Sequence, residues 1–368
     1  MDRHQPDRAQ LLRPHCQWFS RLGWALFAQM ATMLVLQLAV TAAVPGVLSH
    51  PVSRWCLSVG SAYGVGVPAF CLALRGLPAP RSPVRRPMGP LRLCKALITT
   101  LGLVYLSDLL TLLLTQLIGS LRGQAVTNPV DSLAGYPMVL NLLLGCVIAP
   151  LSEEYLFRRL LLERLRPYGD KFAILASALC FGLFHGNLNQ LFYAFAVGAL
   201  FAYVVLRTGC LWQSILLHAL VNFTSVGLVP LLERLGQTGE QLTSLLVVGS
   251  IVVGLTFLVT SWRHIRLEPG SVSLSQGWKW RLFFENPGVI FFCLLALWPA
   301  TSCNAAQPHS LGLEGRQIEH HAGESAGPHR GPLPHPAVQQ HMKEQVARKA
   351  RQQGGQARGH RPVEDPEL

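Results

Sequence analysis

The sequence predicts an all-α fold, a polytopic transmembrane helix bundle of about eight spans with a short ninth apolar segment. Three observations carry this expectation. Half of the 368 residues are hydrophobic and 14% are charged, against about 25% charged in a typical soluble domain. The apolar residues come in long uninterrupted blocks rather than in amphipathic stripes. Those blocks also lack the alternation that a membrane-spanning β-barrel strand requires. Backbone polar groups cannot stay unpaired in hydrocarbon, so each block is expected to close its own hydrogen bonds as a helix.

A helix needs roughly 20 apolar residues to cross the hydrocarbon core. In chain order, the blocks that approach this length are 22–47, 55–74, 96–121, 138–151, 172–185, 188–206, 211–232 and 242–262. The fourth and fifth are short. The segment 287–300 is shorter than a full span and either crosses or re-enters.

Lysine and arginine set the orientation. Arg3, Arg8, Arg13 and Arg21 precede the first block, and Arg81, Arg85, Arg86, Arg92 and Lys95 follow the second. Arg158, Arg159, Arg164, Arg166 and Lys171 follow the fourth, Arg207 the sixth, and Arg263 and Arg266 the eighth. The alternate loops are poorer in these residues. A multi-pass protein with a cytoplasmic N-terminus, in the plasma membrane, is expected. The net charge of +12 then reads as topology and contact with anionic lipid rather than as a nucleic-acid footprint, so nucleic acid is not an expected partner.

The domain organisation follows. Residues 1–21 form a cytoplasmic segment, and 22–266 form the bundle. Residues 267–302 combine an interfacial helix, where Trp278, Lys279, Trp280 and Arg281 mix aromatics with cations, with the short apolar segment. Residues 303–368, rich in Gly, Gln, Pro and seven of the 13 histidines, lack the apolar content for a core and are expected to be disordered. The first block resembles a signal peptide in outline, but its length and the spans after it favour an uncleaved helix. The nine cysteines are scattered, form no C-x-x-C pair, and receive no function.

The chemistry lies between residues 150 and 225, in three polar clusters set in apolar surroundings. In the first, Glu153 and Glu154 are adjacent and so point about 100° apart on a helix. Glu154 and Arg158, four apart, share a face and can pair, which leaves Glu153 as the unpaired carboxylate. The second cluster is Phe181-Gly182-Leu183-Phe184-His185, with the histidine at the end of an apolar block. The third places His218 and Asn222 one turn apart inside the seventh block. Each cluster alone fits a bland role: interfacial carboxylates, a structural histidine, an interhelical clamp. Three together on separate spans can project into one internal cavity. A carboxylate and one histidine could there deprotonate a water. The His218–Asn222 face could donate to a developing oxyanion.

Glu153-Glu154-x-x-x-Arg158, then Phe181-x-x-x-His185, then His218-x-x-x-Asn222 resembles, in identity and order, the CPBP family of CAAX-protease and bacteriocin-processing proteins, also called Abi. The resemblance covers about residues 95–265, the expected protease core. Arg207-Thr208-Gly209 also resembles the loop that precedes the family's third motif, whereas Arg159 stands where the family frequently has glycine.

The resemblance implies an eight-helix bundle related to the type II CAAX prenyl endopeptidases. It implies that Glu153 and His185 activate the attacking water and that His218 and Asn222 stabilise the oxyanion. Glu154 and Arg158 would hold the site's geometry or contact substrate. Zinc, if it takes part, would sit on Glu153, His185 and His218; a metal-free glutamate mechanism uses the same side chains, so the cofactor stays open. The expected partner is a membrane-anchored or hydrophobic peptide. In a bacterial setting prenylated targets are scarce, which favours bacteriocins or signal-like precursors, or immunity against such a peptide. Two other classes compete: a non-catalytic membrane scaffold or immunity protein, and a transporter in which Asp108, mid-block, relays ions with the glutamates.

Overall fold

The structure, a computed structural model, describes residues 8–79, 85–123 and 135–302. The expected disordered tail at 303–368 and the basic positions Arg3 and Arg81 lie outside the described residues. Among the described residues the secondary structure is helical, with no strand. In chain order the helices are α1 (Arg8–Ala43), α2 (Pro51–Ala73), α3 (Pro90–Arg122), α4 (Met138–Tyr168), α5 (Asp170–Phe184), α6 (Leu188–Thr208), α7 (Leu211–Glu233), α8 (Gln237–Ser261), α9 (Gln276–Phe284) and α10 (Pro287–Ser302).

Seven of them (α1, α2, α3, α4, α6, α7 and α8) are long and apolar enough to cross a membrane, and the protein is a multi-pass membrane protein. Helices α9 and α10, bent by 68° at their junction, together make up to an eighth. In α9 the Lys279 side chain is buried, its Nζ donating to the Tyr168 carbonyl at 2.7 Å, and Phe283 joins the core. This helix therefore turns Lys279 and one aromatic face into the protein, while Arg281 stays exposed.

Two elements depart from the sequence expectation. The block at 172–185 forms α5, whose 15 residues reach about 22 Å, short of the roughly 30 Å hydrocarbon core. Phe172, Ala173, Ala176, Cys180 and Phe181 on several sides of it are buried against protein. Helices that are apolar all round arise in either setting, so pattern alone could not separate this inner helix from a lipid-facing one. The block at 138–151 is the first half of α4, which continues through the arginines to Tyr168 over 31 residues. The two glutamates consequently sit mid-helix rather than at a span's end. Continuation is possible because Arg158 is fully buried and Arg164 caps neighbouring chain, donating to the carbonyls of Leu160 and Leu77 at 2.9 Å each.

The core has two parts. The larger gathers Phe19, Leu22 and Leu26 of α1, Phe70 of α2, Leu156, Phe157 and Leu161 of α4, and α5's inner face. The smaller joins Leu101 and Val104 of α3 to Phe201 and Val204 of α6 and Leu217 and Val221 of α7. Polar ties fix the helices around these cores. Gln213 of α7, fully buried, accepts from the Met88 amide and donates to the Met88 carbonyl, both at 3.0 Å, which anchors the entry to α3. Asp170 pairs with Arg207 and accepts from the Glu268 amide at 2.9 Å, tying the start of α5 to the end of α6.

Helices α3 and α8 approach closely through Gly102 and Gly254. A Cβ at Gly102 would lie 2.4 Å from the Ser250 carbonyl oxygen, and one at Gly254 would lie 2.6 Å from that of Ile98. Small residues allow this contact where no hydrophobic force drives helices together in lipid. Gly254→Leu is expected to destabilise the protein by about 1–3 kcal/mol, seen as a lower thermal unfolding midpoint in detergent. An unchanged midpoint would show that the helices separate freely.

Candidate active site

Residues of the seven helices α2 to α8 line a cavity of about 900 Å³, within the range of roughly 300–1,000 Å³ typical of ligand sites. Glu153 of α4, His185 at the end of α5, and His218 and Asn222 of α7 all line it. Glu153 is buried, with 5% of its surface exposed, and its Oε2 lies 3.9 Å from His218 Nε2.

Each side chain is held by a partner whose chemistry fixes its state. His185 has its Nδ1 at 2.8 Å from the Phe181 carbonyl oxygen. A carbonyl only accepts, so Nδ1 carries the proton and Nε2 keeps its lone pair. His218 has its Nδ1 at 3.0 Å from Glu154 Oε1, so its Nδ1–H is donated to that carboxylate and its Nε2 faces Glu153. This is the arrangement by which an outer carboxylate orients a working imidazole. Asn222 donates one Nδ2 hydrogen to the Gly145 carbonyl at 2.8 Å and retains a second.

Glu154 is occupied on both sides. Its Oε2 lies 3.2 Å from Arg158 Nε, both side chains fully buried, as an ion pair without an aligned hydrogen bond. The Arg158 guanidinium carbon stands 4.5 Å above the Phe181 ring and 6.0 Å from those of Phe157 and Phe201. These aromatic faces are a suitable surface for a desolvated guanidinium. Adjacent in sequence, the two glutamates thus have different surroundings: Glu154 is locked between Arg158 and His218, while Glu153 faces the cavity. Arg159 is exposed and pairs with Glu163, away from the cavity.

Sequence reasoning passed over Tyr63. Its hydroxyl, on α2, donates to Glu153 Oε1 at 2.7 Å. A tyrosine in the stretch Gly60–Gly66 carries no charge or motif to draw attention. The local backbone offers the signal: that stretch is a π-helical turn, and similar turns occur at Leu144–Ile148, Tyr155–Leu162 and Thr224–Leu228. Such turns often mark functional sites. Here they sit beside Gly145, whose carbonyl takes the Asn222 hydrogen, directly after Glu154, and just after Asn222.

Among the described residues no group of three or more His, Cys, Asp or Glu side chains is placed to hold an ion, whereas a zinc site usually takes three protein ligands. Of the Glu153 oxygens, Oε1 accepts from Tyr63, and Oε2 lies 3.9 Å from His218 Nε2, beyond hydrogen-bond distance, and faces the cavity.

Residues 135–224 match the family described as Type II CAAX prenyl endopeptidase Rce1-like. That segment runs from the start of α4 to the end of α7's regular part and contains Glu153, Glu154, Arg158, His185, His218 and Asn222; Tyr63 and Asp108 lie outside it. The chain is also 30% identical over 115 residues to the Bacillus subtilis (strain 168) protein named "Putative membrane peptidase YdiL". The match takes in 30% of this chain and 46% of the relative, so the chain spans about half the length of the curated relative it matches. No solved structure matches the chain.

Proposed function

We propose that the protein is an intramembrane endopeptidase that hydrolyses peptide bonds of membrane-associated peptides, with a water activated by Glu153 and His185. The observation that carries this reading is the contrast within the glutamate pair. Glu154 is neutralised by Arg158 at 3.2 Å, and Glu153 is left facing a cavity shared with His185, His218 and Asn222. The match of residues 135–224 to a prenyl endopeptidase family supports the same class of reaction.

In this mechanism a water in the cavity donates one hydrogen bond to the free Glu153 oxygen and one to His185 Nε2. As its oxygen attacks the peptide carbonyl carbon, its proton passes to one of these two groups, which act as general base. The carbonyl π bond becomes an oxyanion. Asn222 donates its second Nδ2 hydrogen to it, and His218 donates from Nε2, carrying protons on both nitrogens when it does so. Collapse of the oxyanion breaks the C–N bond, and the proton taken from water goes to the leaving amine. Glu154 and Arg158 act one step back, by setting the His218 ring and the helix that bears Glu153.

Zinc has no step in this scheme, and turnover of a membrane-anchored peptide is expected to survive exhaustive chelation. Loss of activity on chelation with recovery on zinc addition would replace it with a metal mechanism. The reading as a whole is tested by purified full-length protein in liposomes with a membrane-anchored peptide. Cleavage that disappears in Glu153→Gln and in His185→Ala, both folded, is the expected result; equal cleavage by either variant would overturn it. A scaffold or immunity role, or an Asp108-dependent ion flux, would leave partner binding or transport intact in those variants.

Tyr63 is expected to orient Glu153 rather than to react. Tyr63→Phe should lower kcat by about tenfold, the scale of one charge-assisted hydrogen bond, and leave KM in place. A change confined to KM would instead make Tyr63 a substrate contact.

A further inference from the structure

The cavity has two walls of different origin. One, from α4 to α7, lies in the segment that matches the endopeptidase family and carries the groups above. The other comes largely from α3, outside that segment, where Tyr105, Asp108, Thr111 and Thr115 recur at helical spacing and line the cavity along one face. Asp108 is near the middle of a 33-residue helix, at a depth where a carboxylate costs several kcal/mol, by an amount that is contested. Such groups normally face a partner of opposite charge. Among the described residues Asp108 has no ion pair, and the residues that line the cavity include no lysine or arginine. One turn earlier, the Tyr105 hydroxyl is buried with no hydrogen-bond partner. A lone carboxylate and an orphaned hydroxyl on one face of a polar cavity wall are complementary to a positively charged donor that arrives from outside the chain.

We propose that Asp108, with Tyr105 beside it, forms a subsite that recognises a cationic side chain, lysine or arginine, of the peptide held in the cavity. This rests on the reading of the cavity as a peptide site, and it adds a substrate class: basic residues near the bond that faces Glu153. In this arrangement the α4–α7 wall supplies the reaction and the α3 wall supplies the selection. The ammonium or guanidinium donates to the Asp108 carboxylate, and the Tyr105 oxygen can accept a further N–H. Asp108 is exposed on this face, so it is open to an arriving side chain, and the charge-assisted hydrogen bonds favour a cation over a neutral side chain.

The test reads binding and not cleavage, so it stands apart from the hydrolase reading. The probes are fluorescent single-span peptides of leucine and alanine with one lysine walked along the sequence, each paired with a norleucine counterpart. They are titrated into full-length Glu153→Gln protein in nanodiscs. In at least one register the lysine peptide should bind about tenfold more tightly than its norleucine partner, the scale of a hydrogen bond to a charged group. That preference should collapse in Glu153→Gln/Asp108→Asn and persist in Glu153→Gln/Asp108→Glu, which keeps the charge. A preference for lysine in no register, or one that survives Asp108→Asn in protein that remains monodisperse, overturns the subsite. If the lysine preference behaves as expected while wild-type protein cuts nothing, the hydrolase reading fails and the subsite remains.

Discussion

Glu153→Gln is expected to lower turnover by at least a hundredfold and to leave peptide binding nearly intact. The substitution keeps the shape of the side chain and its contact with Tyr63 but removes the group that takes a proton. General-base catalysis contributes about 10²–10⁴-fold, and the adjacent carboxylate, Glu154, is not free to replace Glu153, since it is held by Arg158 at 3.2 Å and His218 at 3.0 Å. His185→Ala should cause a loss of similar order, because its Nδ1–H is committed to the Phe181 carbonyl and its Nε2 has no substitute on that side of the cavity. The two losses should not add in the double variant, as groups that share one proton act as a unit. Multiplicative losses in the double variant would assign Glu153 and His185 to separate steps.

The second large effect concerns stability. Arg158→Leu should cost about 3–5 kcal/mol, the range for breaking a buried ion pair by removing one partner. The arginine is fully buried, and its removal leaves the buried Glu154 without its cationic partner of the ion pair. Removing both charges, in Glu154→Gln/Arg158→Leu, should restore a good part of the loss, because no orphaned charge then remains in the core. The readout is the thermal unfolding midpoint in detergent for the two single variants and the double. An Arg158→Leu protein as stable as the parent would mean that the pair carries no stability and that Arg158 serves substrate instead. Activity should fall in the double variant even where stability returns, since His218 loses the carboxylate that fixes its tautomer.

The multi-pass helical fold could be read from the sequence because lipid imposes a simple rule: long apolar blocks must be helices. The rule fails where protein replaces lipid as the apolar surrounding. Helix α5 is as greasy as a span, yet it is an inner helix of 15 residues, and only packing separates the two cases. The same ambiguity, with opposite sign, moved the end of α4. Arg158 and Arg159 look alike in the sequence and suggest an interface, but one is fully buried against three aromatic rings and the other is exposed beside Glu163.

The polar clusters of the candidate site could be found in the sequence because charge inside apolar blocks is costly and therefore conspicuous. Their partners could not. Phe181 and Gly145 contribute backbone carbonyls, which every residue has. Tyr63 contributes a hydroxyl from a helix some 90 positions away in the chain. Asp108 was visible as a charge in mid-span, but which other groups share its cavity depends on how α3 packs against α6 and α7.

Isotope labelling tests most directly whether a water poised between the α4 carboxylate and the α5 imidazole performs the cleavage. Purified protein and a membrane-anchored peptide would be incubated in ¹⁸O-enriched water and the products weighed. The account predicts a single heavy oxygen in the newly formed carboxyl terminus from the first turnover, with no peptide covalently attached to the protein. A trapped acyl-protein adduct, or a first-turnover product free of the label, would contradict it.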